Sequence, residues 1–534
     1  MPPHRWRLGG ELLDRTYQRV HVEQGLGPVL DKVETAGYTL GSDGLTDKKG
    51  VNVINFCIGS RGIAALVDLQ MLTEAETKDS DFMLHSMREG FQSVVERLVE
   101  AGVNDKDTAE NLCIQVITDG ASNCASARQL FAAEYPHMFE GWCALHCIGL
   151  FFKDVFNIAH FTSLYDDIHD VVKYFKSHNK LRLTFDNIRG ANTGSRPSAP
   201  ALNLPAEMRM AGKYMLLEKS GRSRDVFKKL LVHDDVLKFK ETLSGEKLDT
   251  FNRVESLVND NARWDEVADT VKLLQPAYIV MKVADSCTDA MSWIYGLSLR
   301  VLNHFKTVLD EARRKRSSGR LKEVRDHWEK RWKALHNPLH SFAYAVNPYF
   351  RKDKPMEDHV DVMPDVRKVL EKFLRKANGE VDFEVVGQAL NELANFEAGN
   401  LDTPEEVIQS MTPDNIFFAL RTEMPNVASI ATKVLAQPVS VGMCERVWSN
   451  YGWIQSNLRG KLKTIKCKML VCTYASLRLR DSDIKRKAPE GITSFMDEKF
   501  EMPKDWIVDE SMDESNIFSV DVAHAEAEQR DDLA

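Results

Sequence analysis

Residues Gln115-Val-Ile-Thr-Asp-Gly-Ala-Ser-Asn123 decide how this chain is read. A short apolar run stops abruptly at Asp119, and Gly120 turns it into a segment of helical spacing. A carboxylate at the end of a buried strand is held rigidly while its charge still reaches solvent or a ligand. A second ending of this kind lies upstream, in Tyr38-Thr-Leu-Gly-Ser-Asp43-Gly44. Two aspartates so far apart in sequence converge only if their strands lie side by side, which is the layout of a carboxylate-metal site.

The pattern around the two aspartates predicts how such strands would be arranged. Leu12–Val33 is amphipathic and interrupted near Gly25-Leu-Gly-Pro28. Strands follow at 37–43, 51–58 and 63–69, the last two joined by the hairpin turn Gly59-Ser-Arg-Gly62. Met83, Met87, Phe91, Val94, Val95 and Leu98 then share one helical face. A fourth strand spans 112–118, a helix 122–135, a fifth strand 139–145 and an apolar helix 147–159. The order β-β-β-α-β-α-β-α predicts a mixed sheet with strands one and four as parallel neighbours. Asp43 and Asp119 would then meet at the carboxyl ends, where open α/β sheets place their sites.

Beyond about residue 160 the spacing is helical as far as 420, apart from the Gly/Pro/Ser-rich loop 190–205. The boundaries read as 1–35 for a helical lead-in, 36–160 for the first part of the core and 161–424 for a helical segment. Residues 425–480 form the last globular part, and 481–534 an acidic tail expected to be disordered. From Glu501 onward eleven acidic residues face only Lys504 and Arg530, so the net charge of −9 belongs to the tail and the rest is close to neutral. The 43% apolar and 28% charged content is that of a globular protein. No signal peptide or run of about 18 apolar residues is present, so neither secretion nor membrane insertion is expected. The nine cysteines are scattered and lack zinc-finger spacing, so free thiols and no structural zinc are expected. Basic stretches at Arg313-Arg-Lys-Arg316 with Arg320, Lys322 and Arg325, and at Arg459, Lys461, Lys463, Lys466 and Lys468, suit phosphate contacts or a solvated helix face.

A third acid stands out in Gln437-Pro-Val-Ser-Val-Gly-Met-Cys-Glu-Arg-Val-Trp-Ser449, where Glu445 sits in an apolar, small-residue helix start. Read alone, Glu445 next to Arg446 is an ion pair. Taken with Ser-Asp-Gly at 42–44, Thr-Asp-Gly-Ala-Ser-Asn at 118–123, Cys143-x-x-His146 and Asn457-Leu-Arg-Gly-Lys-Leu462, it closely resembles the hAT superfamily of transposases. The resemblance is to the plant-type branch with a DUF659 domain and a hAT C-terminal dimerisation region. It extends from about residue 8 to 480 and includes Leu12-Leu-Asp14, Asn52–Phe56, Arg331-Trp332, and Pro338-Leu-His340 through Asn347-Pro348.

The resemblance implies an RNase H-like mixed α/β sheet, interrupted by a large all-α insertion and completed by C-terminal helices that also dimerise. It implies an Asp-Asp-Glu triad on Asp43, Asp119 and Glu445 that binds two Mg²⁺ or Mn²⁺ ions, hard cations that prefer oxygen ligands. His146, Arg446, Arg459, Lys461 and Arg209 fall where DNA contacts are expected. Cys143 is expected to be packing. The implied partners are DNA and a second copy of the chain or a higher homo-oligomer, with nuclear residence. The chain departs from the family at Leu45, where Trp is usual, in a weaker basic segment at 457–462, and in lacking an N-terminal BED zinc finger. Two functional classes follow. One is a metal-dependent DNA-cleaving and strand-transferring protein, whole, truncated or domesticated. The other is a non-catalytic dimerising nuclear protein that uses the same fold as a scaffold.

Overall fold

The computed structural model describes residues 10–46, 50–71, 79–190, 197–205, 211–285, 290–314, 319–376, 378–411, 413–455 and 464–485. Arg209, Arg459, Lys461, residues 315–318 of the first basic stretch and the acidic tail from 486 lie outside them. Among the described residues the protein is mixed α/β, with one five-stranded mixed sheet and a large helical part. No helix among them is long and apolar enough to cross a membrane. They form two compact units: residues 1–147, 282–299 and 334–534 make the first, and 148–281 with 300–333 the second.

The first unit contains the sheet. The strands β1 Tyr38–Thr46, β2 Asn52–Ser60, β3 Ile63–Met71, β4 Cys113–Thr118 and β5 Phe139–Trp142 lie in the order β3-β2-β1-β4-β5. β1 and β2, and β2 and β3, are antiparallel, whereas β4 runs parallel to both β1 and β5. The parallel pairing of the first and fourth strands is the one expected from sequence. The hairpin between β2 and β3 also forms, because Arg61 (φ 46°) and Gly62 (φ 72°) both take the positive φ values that a two-residue turn between twisted strands requires.

One face of the sheet packs into a core of Tyr38, Leu40, Phe56, Ile58, Val116 and Val67 with Met87, Phe91, Val94 and Phe131 from the helices Ser80–Glu100 and Ser122–Glu134. The Asp79 side chain caps the first of these helices, accepting the Phe82 N–H at 2.8 Å, and Asp105 caps the short helix Lys106–Asn111, accepting the Thr108 N–H at 2.7 Å. The opposite face is covered by the helices Gly442–Ile454 and Thr464–Lys485. Segments from both chain ends therefore build one unit. The helices of 338–435 belong to it too.

Two local readings are corrected. The lead-in is not broken at Gly25-Leu-Gly-Pro28. Helix Glu11–Tyr17 continues through a π-helical stretch, Gln18–Leu26, into helix Gly27–Ala36. Pro28 sits in the first turn of that last helix, where its missing N–H costs least. Gly25 permits close approach, since a Cβ there would lie 2.8 Å from that of Ser476. The fifth strand is also shorter than expected and ends at Trp142, with a helix Ala144–Val155 starting two residues on. The Cys143 N–H follows β4 to the Thr118 carbonyl (3.0 Å), but that of Ala144 turns away to the Val439 carbonyl (3.0 Å), which ends the ladder.

Among its described residues, the regular secondary structure of the second unit is all helical. Its core gathers Phe175, Phe185, Phe227 and Trp264, the indole N–H of Trp264 donating to the Val258 carbonyl at 3.0 Å. Arg263 binds Asp167 and Glu266, and Arg331 binds Asp154 at 2.8 Å from Nε.

Candidate functional site

The register of β1 and β4 brings the two aspartates level. Gly41 pairs with Ile117, and Asp43 and Asp119 each lie two residues further on. Parallel neighbours are about 4.8 Å apart and side chains alternate, so residues two beyond a matched pair stand side by side on one face. The neighbourhood of Gly41 identifies that face. A Cβ there would lie 2.7 Å from Met443 Cε, 3.2 Å from Val441 Cγ1 and 3.3 Å from Cys444 Sγ. Glycine is what lets the first turn of helix Gly442–Ile454 rest directly on the strand.

A set of polar contacts fixes this helix start in place. Asn55, opposite Asp43 in β2, donates from Nδ2 to the Cys444 carbonyl at 2.9 Å. Gln437 donates to the Ala36 carbonyl at 2.8 Å and accepts from Thr39 at 2.9 Å. Gln115, buried in β4, donates to Thr39 and to the Pro438 carbonyl at 2.9 and 2.8 Å. The Trp448 indole N–H donates to Asp43 Oδ2 at 2.7 Å, while Asp43 Oδ1 accepts the Gly44 N–H at 2.9 Å.

The electrostatics show that Asp43, Asp119 and Glu445 share one environment. Burial first, then the charges of Asp43, Asp285 and Asp119, push Glu445 up to about 8, and Arg446 opposes only part of this. Asp43 is also raised, by burial and by Asp119, against the lowering hydrogen bond from Trp448. Like charges brought together in a partly dry site disfavour full ionisation. The Cys124 thiol is pushed up to about 12 by burial and then by Asp119, to which it hydrogen-bonds. Buried Cys143 is raised by burial and by the Glu445 charge, and its Sγ accepts the Val441 N–H at 3.4 Å.

The other residues marked in sequence are placed as follows. His146 lies in the first turn of helix Ala144–Val155 rather than on a strand, and its charge acts on Asp43. Arg446 is turned toward Asp285, donating to its carbonyl at 2.9 Å and to Oδ1 at 3.1 Å.

Four contributors were not singled out from sequence. Trp448 sits three residues after Glu445, a spacing that puts both on one helix face and could have revealed it. Cys124 could have been found from its place one turn into the helix after Asp119. Asp285 had no such signal, because only the fold brings it to Glu445. Arg128 had none either; buried, it donates to Thr118 Oγ1 at 2.6 Å and to the Asp119 carbonyl at 3.4 Å.

The donors are of the oxygen type that suits a hard divalent cation, and the repulsion raising Glu445 and Asp43 is what such a cation would relieve. Among the described residues, however, no group of three or more His, Cys, Asp or Glu side chains is already spaced to hold a metal ion. Both Asp43 oxygens carry hydrogen bonds, and Asp119 Oδ1 accepts the Ala121 N–H at 3.2 Å. Cation binding by the three together therefore needs the side chains to draw closer than they stand.

In comparison with known families, a domain of unknown function, DUF659, matches residues 3–171. This is a domain found in plant hAT-like transposase-derived proteins, and it points to a transposase-related family. The match includes Asp43, Asp119 and His146 and stops short of Glu445. No curated protein matches the chain.

Proposed function

We propose that the chain is a hAT-type, transposase-derived DNA-binding protein with an RNase H-like fold, and that Asp43, Asp119 and Glu445 form its strand-cleaving and strand-transferring centre. The observation that carries this reading is the level placement of Asp43 and Asp119 at the carboxyl end of a parallel strand pair, together with the raising of Glu445, more than 320 positions after Asp119, by the charges of both. The three would hold two Mg²⁺ or Mn²⁺ ions, which when bound supply Lewis acidity at phosphate oxygens. Asp43 and Asp119 give the centre a rigid base, since both are set by strand register. Glu445 brings the proton-holding side chain, which gives up its proton when positive charge arrives. His146, on the Asp43 side, is assigned to DNA, as are Arg446, Arg209, Arg459 and Lys461. Nuclear residence and assembly into a homodimer or higher homo-oligomer belong to the same reading. Exposed Trp453, stacked on Tyr474, and Ile465 mark the helix surface available for that contact.

A cleavage assay with Mn²⁺ on a pre-nicked, hairpin-forming DNA tests the reading. Nicking is expected from the native chain and loss of at least ~10²-fold from Asp119→Asn, given what one lost charge-stabilising group costs such centres. Activity unchanged in Asp119→Asn would remove the assignment.

The Trp448–Asp43 hydrogen bond favours a second reading, a non-catalytic dimerising nuclear scaffold in which the carboxylates are retained as part of the packing. Under that reading Trp448→Phe frees Asp43 without conferring any Mn²⁺-dependent nicking. Under the first, it leaves or raises nicking.

A further inference from the structure

Within the first unit a cleft of about 800 Å³ opens beside β5, lined by Arg128, Glu140, Trp142, Lys368, Lys372 and Arg375 among others. Arg128 joins it to the candidate centre through its bonds to Thr118 and the Asp119 carbonyl. We infer that this cleft binds a phosphate ester, presented either by a nucleic-acid strand or by a free nucleotide.

The charge balance within the cleft points to an anion. The carboxylate of Glu371 is taken by Arg367 at 2.6 Å, and that of Glu140 lies 3.4 Å from Arg128. Lys368 faces Asp365 at 3.2 Å. Lys372 donates to the Met138 carbonyl at 2.5 Å and lies 4.5 Å above the Phe139 ring, and Arg375 donates to the Gly379 carbonyl at 2.8 Å. Among the described residues neither has a carboxylate within ion-pair distance. Arg128, only 6% exposed, keeps Glu140 as its ion-pair partner, so the uncompensated positive charge of the cleft is that of Lys372 and Arg375. Lys372 is held below the usual ammonium range by burial and then by Arg375, against the opposing charge of Glu140.

Size and shape narrow the class. A volume of this order accommodates one or two nucleotide units rather than a lone ion. Arginine forks and a lysine point charge are the groups that recognise phosphate oxygens. Half-buried Trp142 on the wall offers a ring on which a base can stack.

The inference draws on the proposed function only for the strand as one source of the phosphate. Its test is fluorescence anisotropy of a labelled oligothymidylate with the full chain in EDTA. Lys372→Gln and Arg375→Glu are compared with Lys106→Glu, an exposed charge change outside the cleft. Arg375→Glu is expected to weaken binding ~10-fold and, by removing one phosphate contact, to reduce the salt slope by roughly one. Lys372→Gln is expected to weaken it several-fold, and Lys106→Glu to leave it unchanged. Equal binding by all three would overturn the inference and leave the carboxylate centre untouched. Asp119→Asn, which abolishes cleavage if the proposed function holds, should still bind. Unlabelled thymidine monophosphate then assigns the source: competition at equal nucleotide concentration indicates a free nucleotide, and competition only by longer oligomers indicates a strand.

Discussion

Replacing Glu445 by Gln should stabilise the protein, and by an amount that grows with pH. The folded state holds the Glu445 carboxyl at about 8, against about 4.5 when unfolded. Between those values the native chain binds the extra proton, so its stability falls as pH rises through that window. Each unit corresponds to about 1.4 kcal/mol, which gives a limiting loss of about 5 kcal/mol above pH 8 and about 3 kcal/mol at pH 7. Glu445 is half-buried, and allowing for solvent screening about halves these figures. Gln keeps the shape and never ionises, so Glu445→Gln should gain roughly 1.5 kcal/mol at pH 7 and nothing below pH 4.5. For a unit this large, that is about 3 °C in Tm. The assay is tryptophan-fluorescence melting of both proteins in EDTA at pH 5, 7 and 8.5. Mn²⁺ should narrow the gap at pH 7 by neutralising the native cluster. A Tm difference that stays constant from pH 5 to 8.5 would refute the reasoning, because it would mean that neither burial nor the charges of Asp43, Asp285 and Asp119 raise the Glu445 carboxyl.

Trp448→Phe removes the indole N–H that favours ionised Asp43, so the Asp43 carboxyl should titrate at still higher pH, and about 1.5–3 kcal/mol of charge-assisted hydrogen bonding is lost; urea unfolding at pH 7 and carboxyl NMR would show both changes. Gly90→Ala tests the packing on the other face of the sheet, because its Cβ would fall 2.5–2.8 Å from the Phe56 ring, a group fixed in the core. A loss of about 1–3 kcal/mol is expected by thermal melting, and no loss would mean that the helix Ser80–Glu100 packs differently. The homo-oligomer reading predicts that Trp453→Ala with Ile465→Asp shifts light scattering from dimer toward monomer without lowering Tm; an unchanged mass would locate the interface elsewhere.

How much of this was legible in the sequence depended on the range of the interactions involved. The parallel pairing of the first and fourth strands and the level placement of Asp43 and Asp119 were readable because both rest on local signals, short apolar runs and abrupt ends at Asp-Gly. The hairpin at Arg61–Gly62 was readable from turn chemistry. The end of β5 was not, because what stops it is the Val439 carbonyl, nearly 300 positions away, taking the Ala144 N–H. The π-helical passage through Gly25 was missed because Gly-Leu-Gly-Pro normally ends a helix, whereas packing against Ser476 keeps this one going. Asp285 and Arg128 carry no motif. Their roles come from where tertiary packing delivers them, next to Glu445 and behind Asp119.

The same long-range contacts determine what removing the C-terminal part should do. A chain ending near residue 425 could be taken as a test of dimerisation alone. It would also strip the sheet of Gln437, the partner of Thr39 and Ala36, and leave buried Gln115 without the Pro438 carbonyl. His21, bonded through Nδ1 to Ser476 at 2.8 Å, would lose its partner as well. Val439, Val441, Met443, Val447, Tyr451 and Ile454 are each at most 2% exposed, and losing their burial forgoes on the order of 10–20 kcal/mol of gross apolar stabilisation. Net stabilities are only about 5–15 kcal/mol, so the shortened chain should not hold a native first unit. Circular dichroism and proteolysis of the 1–425 fragment are expected to show lost cooperative melting and rapid cleavage between 38 and 142. A protease-resistant fragment that melts cooperatively would show that the sheet stands without residues 437–476. Glu445 would then belong to an appended helix rather than to the fold that holds Asp43 and Asp119.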